Sequence, residues 1–230
     1  MNASRNATVV DTLFCSGILG VHFSPSAETA ASRYKGGVIC GRTYGANMDF
    51  SQQEFDRRMQ EPAYWFNKSA DMRASAGAIH YSISHSDAVT EWLDYPKGYS
   101  MSVASHDVFV MLCGLSMELI YKAILVSKAI KFDKVHKLNS LRKLAEVDVS
   151  ELQEGILDLY THAIYWVGKY PVPLKNEFNT DFMNLVNEHL FENVPGMSIN
   201  LKRGNGLMSW DTFNTLWRSA EQVYRTPLPI

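Results

Sequence analysis

The sequence predicts an all-α protein, an antiparallel helical bundle of four to five main helices that follows an irregular N-terminal segment. Three observations predict this class. Apolar residues recur at three- and four-residue spacing, helix-capping patterns precede several of these stretches, and strand-like and helix-like segments do not alternate. With 230 residues, of which 46% are apolar and 20% charged, the chain can build a packed core. This composition excludes a disordered or low-complexity protein.

The sequence divides into an irregular segment at residues 1–50 and a helical bundle at residues 51–230. Glycines and a proline interrupt short apolar pieces throughout the first segment. The bundle begins with the capping-box pattern Ser51-x-x-Glu54, which is typical of a helix start. Pro62 then restarts or bends the helix, because proline fits best in a first turn.

The apolar spacing predicts the helices that follow, in order. A first amphipathic helix covers about residues 62–83, and a connection with a short helical piece covers 84–100. Residues 105–130 form the most apolar helix, which is apolar on nearly every side and therefore belongs in the middle of a bundle. A short helix follows at about 138–144.

The C-terminal half contains further capped helices. Ser150-x-x-Gln153 is a second capping box, and it opens a helix that Pro171 ends. Apolar residues between 182 and 190 predict another short helix. Residues 194–208 are expected to contain a turn at Lys202–Gly206, which is compatible with a small hairpin, and Ser209 is expected to cap a final helix.

Charge and cysteine content narrow the classes of function. The net charge of −2 gives no overall nucleic-acid footprint, although a local basic patch is compatible with it. The three cysteines include no CxxC pair, which argues against a disulfide framework or a zinc ribbon and favours a cytoplasmic protein. The apolar run Val108–Val126 has Glu118 and Lys122 near its middle, so we expect a buried core helix and no membrane association.

The usual catalytic signatures are absent from the sequence. It contains no GxxxxGK[ST] loop, no GxGxxG spacing among the glycines of residues 36–45, no HExxH and no GxSxG. These absences argue against most nucleotide hydrolases, dinucleotide enzymes and metalloproteases. We expect no metal site and no cofactor.

The apolar helix carries the most informative polar residues. Glu118 and Lys122 are four residues apart, with the acid first, which is the favourable order on a helix. One interpretation is an intrahelical ion pair on the single polar stripe of this helix. The other is a polar seam that forms part of a binding site, because two charges in so apolar a helix must meet partners or water.

Four segments, taken in order, resemble the HEPN superfamily (higher eukaryotes and prokaryotes nucleotide-binding). They are the aromatic start Tyr64-Trp65-Phe66, the stretch Leu-Ser-Met-Glu118-Leu-Ile-Tyr-Lys122-Ala, the entry His136-x-Leu-x-x-Leu, and the helix end Trp166-x-Gly-Lys-Tyr-Pro171. The resemblance covers about residues 60–175, roughly half of the chain. Residues 1–50 and 195–230 lie outside it.

The resemblance implies a helical bundle that pairs into a homodimer and binds or cuts RNA or nucleotides. Many members belong to toxin–antitoxin, phage-defence or stress systems. Active members cleave RNA without a metal, through an arginine followed a few residues later by a histidine late in the bundle. The histidine assists proton transfer around the attacking 2′-hydroxyl, and the arginine stabilises charge on the phosphate.

The sequence departs from this family pattern. No arginine lies in the helix of residues 150–175, so His162 lacks the arginine that should precede it. The spacing occurs instead at Arg73-x6-His80, in the helix at 62–83. Seven residues turn through about 700°, so both side chains share one face. Arg73 and His80 are therefore the candidate catalytic residues, and the alternative is that they form a solvated helix flank.

The candidate nucleotide- or RNA-binding residues are Glu118, Lys122, His136, Lys169 and Tyr170. His136 is expected to lie near Glu118 and Lys122, and a purely structural role is the alternative. Lys169 and Tyr170 follow a helix end, where a cation is placed favourably. We assign the tryptophans mainly to core faces and not to base stacking.

Two classes of function remain open on the sequence. The first is a HEPN-like protein that binds or acts on RNA or nucleotides, as a metal-independent endoribonuclease if it is catalytic. The second is a non-catalytic HEPN-like module or dimeric scaffold that binds a partner protein, including a scaffold whose function lies in residues 1–50.

Overall fold

The computed structural model describes residues 52–132, 136–193 and 202–226, and 73% of these residues are helical. The predicted all-α class is confirmed. The predictions for residues 1–50, and for Ser51 as the first cap, lie outside the described residues. The helices are α1 Gln52–Gln60, α2 Pro62–Ser84, α3 Ser86–Trp92, α4 Met101–Ala104, α5 His106–Ser127, α6 Leu138–Ala145, α7 Glu151–His162, α8 Asn176–His189 and α9 Trp210–Arg225.

Helix α5 is the centre of the fold, as its apolar composition predicts. Helices α2, α6, α7 and α9 all pack against it. It is long and apolar enough to cross a membrane, but 72% of its most apolar window is buried inside the protein. Its interior side chains include Met117, Ile120 and Ile124, none of which is exposed to solvent.

Small residues let α2 approach α5 closely. Ser69 on α2 donates to the Ser116 carbonyl at 2.7 Å, and the Ser116 hydroxyl donates back to the Ser69 carbonyl at 2.9 Å. The indole of Trp217 on α9 donates to the Ser69 hydroxyl at 2.9 Å. Three helices are thus joined through buried polar groups that satisfy one another.

The second predicted capping box is confirmed at the start of α7. The Gln153 N–H donates to the Ser150 hydroxyl at 3.3 Å, and the Ser150 N–H donates to the Gln153 side chain at 2.9 Å. Helix α7 continues into a π-helical turn at Ala163–Val167, which ends at Gly168, before the predicted stop at Pro171. Extra residues in such turns reorient the side chains that follow them.

The C-terminal elements agree with the sequence in kind but differ from it in several of their bounds. Ser209 caps α9 by accepting from the Thr212 N–H at 3.3 Å. Strands β1 Phe191–Asn193 and β2 Lys202–Gly204 pair antiparallel, so a small two-stranded sheet is present. Its first strand lies before the predicted range 194–208, and Lys202–Gly204, predicted as part of a turn, is a strand. Helix α8 is longer than the sequence predicts, since it begins at Asn176. Its first turns are polar and carry no apolar periodicity, so the sequence pattern did not indicate them.

Gly114 on α5 provides a test of the central packing. A β-carbon at this position would lie 2.9 Å from the Tyr160 carbonyl oxygen and 3.0 Å from the Ile164 side chain. Alanine favours a helix by about 1 kcal/mol over glycine, but overpacking against backbone costs about 1–3 kcal/mol. We expect Gly114→Ala to lower the free energy of unfolding in urea denaturation.

The exposed Ser75→Ala substitution on α2 serves as the control and is expected to change stability by less than about 0.5 kcal/mol. A Gly114→Ala protein more stable than the natural chain would show that α5 and α7 are not in the close contact described.

Candidate functional site

Three of the predicted site residues meet in one polar cluster, formed by Glu118, Lys122 and His136. The Lys122 ammonium donates to Glu118 Oε1 at 2.5 Å, and His136 Nδ1 lies 2.9 Å from the same oxygen. The first two residues lie one turn apart on α5, and His136 lies just before α6. A carboxylate only accepts hydrogen bonds, so the imidazole nitrogen that faces Glu118 is the protonated one.

The carboxylate and the ammonium of the cluster are buried. Glu118 and Lys122 are only 5% and 7% exposed. The ammonium lies 5.8 Å from the ring centre of Trp65 and 5.7 Å from that of Phe132, within reach of cation–π attraction. Among the described residues, Glu118 Oε2 is buried without a hydrogen-bond partner. The carboxylate therefore has one oxygen whose acceptor capacity these residues leave unused.

His136 is the accessible member of the cluster. Its side chain is 46% exposed, whereas that of Glu118 is 6% exposed. The edge of the imidazole meets the ring of Tyr165, with 5.8 Å between centroids, and Tyr165 belongs to the π-helical turn. A buried carboxylate that holds one imidazole nitrogen leaves the other, Nε2, ready to take or give a proton. This is the arrangement of an oriented general base.

An aromatic groove lies where α1 meets α2 and α5. Its volume is about 310 Å³, and its lining residues are Phe55, Arg58, Met59, Tyr64, Trp65, Lys68 and Leu119. Exposed aromatic rings beside cations are typical of surfaces on which nucleobases stack. Among the described residues that line it there are two cations and no carboxylate.

The cations of the groove differ in their partners. Arg58 and Arg57 both donate to Glu54, and their hydrogen bonds lower the pKa of that carboxyl to about 2. Glu54 is therefore ionised at neutral pH and offsets one of the two arginine charges. Lys68 is exposed and forms no ion pair within the part of the chain that the structure describes. Its ammonium is available to a phosphate.

Trp65 joins the groove to the polar cluster. Its ring lines the groove, meets Phe132 edge-on at 5.9 Å and lies beside the Lys122 ammonium. The indole N–H donates to the Met59 carbonyl at 3.0 Å and so holds the ring in place. The expectation that the tryptophans serve mainly the core holds for Trp65, which is partly buried and packs against it, and does not describe Trp92, which is 75% exposed.

Arg73 and His80 share one face of α2, as their spacing predicts, but α9 occupies that face. The Arg73 guanidinium donates to Asn214 Oδ1 at 2.7 Å and lies 4.5 Å from the Trp217 ring centre. Burial, with the nearby charge of Arg218, lowers its pKa. His80 stacks on Trp210 with 5.9 Å between centroids. Neither side chain is the freely solvated flank considered for it, and a catalytic role for the pair stays a prediction.

Lys169 and Tyr170 lie on the surface, just after the π-helical turn. Both are exposed, and their backbone N–H groups donate to the Trp166 carbonyl at 2.9 and 2.8 Å. None of the contacts described joins them to the cluster of Glu118 and His136. Their predicted binding role stays a prediction.

The groove is the part of the site that sequence reasoning did not identify. Phe55, Tyr64 and Lys68 come from two helices, and only the packing of α1 against α2 brings them together. The available signal was the density of aromatic and basic residues between positions 55 and 68.

Comparisons with known proteins return nothing for this chain. No family model, no curated protein and no solved structure matches it.

Within the described residues, no three His, Cys, Asp or Glu side chains are grouped so that they could hold a metal ion.

Proposed function

We propose that this chain is a HEPN-like protein that binds single-stranded RNA in the aromatic groove and cleaves it with His136 as the proton-transfer group. The observation that carries the proposal is the accessible His136 imidazole, held by a buried Glu118 carboxylate 2.9 Å away. Lys122, the other partner of Glu118, lies beside Trp65, which lines the aromatic and basic groove. The HEPN resemblance supplies the substrate class, because many members bind or cut RNA.

The groove suits a nucleobase rather than a folded macromolecule. A volume of about 310 Å³ lies at the lower end of small-molecule pockets. Stacking on an aromatic side chain contributes about 1–3 kcal/mol per base and tolerates any sequence. Lys68 at the rim adds phosphate attraction, which weakens as salt rises.

The cleavage step needs only groups that the chain and the RNA supply. His136 Nε2 takes the proton of a ribose 2′-hydroxyl, and the 2′ oxygen bonds to the adjacent phosphorus. The bond from phosphorus to the 5′ oxygen breaks, and that oxygen takes a proton from water. The products are a 2′,3′-cyclic phosphate and a 5′-hydroxyl, and the proton on His136 returns to solvent.

Glu118 and Lys122 support this step without contacting the RNA. Glu118 orients the imidazole through its contact with Nδ1, as the carboxylate of a catalytic triad does. Lys122 is committed to Glu118 at 2.5 Å and balances its charge. Their assignment as direct RNA ligands therefore gives way, in this proposal, to a positioning role.

The compartment, oligomeric state and biological system that we propose are taken from the cysteine pattern and the resemblance to the HEPN superfamily. We place the protein in the cytoplasm, as a homodimer, in a defence, toxin–antitoxin or stress system.

Replacing Phe55 by alanine tests the groove. Phe55 is 47% exposed, so its loss removes a stacking surface without opening the core. Loss of one stacking contact, about 1–3 kcal/mol, should weaken RNA binding roughly 5- to 150-fold. The measurement is fluorescence anisotropy with a labelled single-stranded RNA at two salt concentrations.

Phe178→Ala on α8 is the matched control, because Phe178 is also 47% exposed but lies outside the groove. We expect it to bind RNA like the natural chain. Equal affinity of the Phe55→Ala and Phe178→Ala proteins would rule out the groove as the binding surface.

The alternative function is a non-catalytic module or dimeric scaffold that binds a partner protein. The observation that favours it is an exposed apolar surface around α3 and α4, where Trp92 is 75% and Val103 80% exposed. Tyr95 and Tyr99 stack on each other beside it, with 4.2 Å between centroids. Absence of RNA binding by a dimeric natural chain would favour this alternative.

A further inference from the structure

A second, apolar cavity lies on the other side of α5, beneath helix α8. Its volume is about 240 Å³. Side chains from the start of α5, from α7 and its π-helical turn, and from α8 enclose it. Those lining residues are His106, Asp107, Val110, Leu159, Ala163, Val167, Phe182, Met183, Val186, Leu190 and Met208.

The lining leaves little for water to bind. Nine of the eleven residues are apolar, and the two polar ones, His106 and Asp107, are neighbours at the start of α5. Apolar cavities stay dry, and an engineered one of about 150 Å³ lined by such side chains binds benzene. The cavity beneath α8 is larger than that, so it has room for one or two fused aromatic rings.

Helix α8 forms a roof that can yield to a ligand. None of its side chains is fully buried, in contrast to α5 and α7. It follows an exposed connection in which Val172 is 68% and Leu174 100% exposed. Elements with few buried contacts open at low free energy.

The wall of the cavity opposite α8 includes a π-helical turn of the backbone. Ala163 and Val167, the first and last residues of the π-helical turn, both line the cavity. Phe182 of the roof meets the indole of Trp166 edge-on at 5.5 Å, and Trp166 lies in the same turn. The Trp166 N–H is buried without an acceptor among the described residues. The π-helical turn thus supplies two lining residues of the cavity, and its Trp166, which does not itself line the cavity, packs against the Phe182 ring that does.

We propose that this cavity is a binding site for a small, neutral aromatic molecule of one or two rings. The ring fills the apolar space between α7 and α8, and a polar substituent, where present, faces His106 and Asp107. The site is separate from the groove and from His136, so this inference does not depend on the proposed function.

Calorimetric titration of the full chain with indole tests the proposal. We expect the natural chain to bind indole and its melting temperature to rise with indole concentration. The Val186→Phe substitution places a ring in the cavity from α8 and should weaken binding at least tenfold. Val172→Phe makes the same change on the exposed connection and should bind like the natural chain.

Methyl NMR of the natural chain locates the ligand without any substitution. Shifts confined to methyl groups such as those of Val110, Leu159 and Val186 would support the cavity. The proposal is overturned if the natural chain does not bind indole, if Val186→Phe and the natural chain bind it equally, or if the shifts centre on Leu119 and Met59 in the groove.

Discussion

Replacing Glu118 by alanine is expected to destabilise the protein by about 3–5 kcal/mol, because it leaves a buried ammonium without its partner. Lys122 is 7% exposed, and Glu118 supplies the one carboxylate within ion-pair distance of it among the described residues. A loss of this size is a large share of the stability of an ordinary domain, about 5–15 kcal/mol. Urea denaturation followed by circular dichroism measures it.

Two further variants test whether the loss of stability depends on the burial of this ion pair. Glu146→Ala removes a carboxylate that also pairs with a lysine, Lys128, but is 76% exposed, so it should lower the stability far less than Glu118→Ala. The double substitution of Glu118 by leucine and Lys122 by methionine removes both charges and should recover most of the stability. A Glu118→Ala protein as stable as Glu146→Ala would show that the pair is solvated.

Replacing His136 by alanine is expected to slow RNA cleavage by about 10²- to 10⁴-fold, the usual contribution of a positioned acid–base group. The His136 side chain is 46% exposed, so its loss should leave folding and RNA affinity nearly unchanged. Single-turnover cleavage at saturating protein separates the rate of the chemical step from binding. Equal loss of affinity and rate would instead indicate that His136 is a binding residue.

The helices could be predicted because local rules decide them. Apolar periodicity located α2 and α5 within two or three residues, and the caps at Ser150 and Ser209 formed as their patterns indicate. Helix α8 was missed over its first turns because Asn176–Asp181 carries only one apolar residue. Helix propensity alone, without an apolar face, is a weak predictor of a helix.

The candidate site could be predicted only in part. The four-residue spacing of Glu118 and Lys122 fixes their contact within a single helix. The approach of His136 agrees with the expectation that it lies near them, although the contact depends on how α6 packs on α5. For Arg73 and His80 the spacing correctly placed both on one face. It could not show that Trp210 and Trp217 of α9 cover that face, because these contacts join residues at least 130 positions apart.

Cleavage of end-labelled single-stranded RNA in EDTA by the natural chain, His136→Ala and His80→Ala tests the central claim most directly. We predict that the natural chain and His80→Ala cut at similar rates and leave 2′,3′-cyclic phosphate ends, whereas His136→Ala is at least 100-fold slower. Cleavage that is lost in His80→Ala and kept in His136→Ala would move the active site to the Arg73 face of α2. RNA binding without cleavage by the natural chain would contradict the catalytic role of His136.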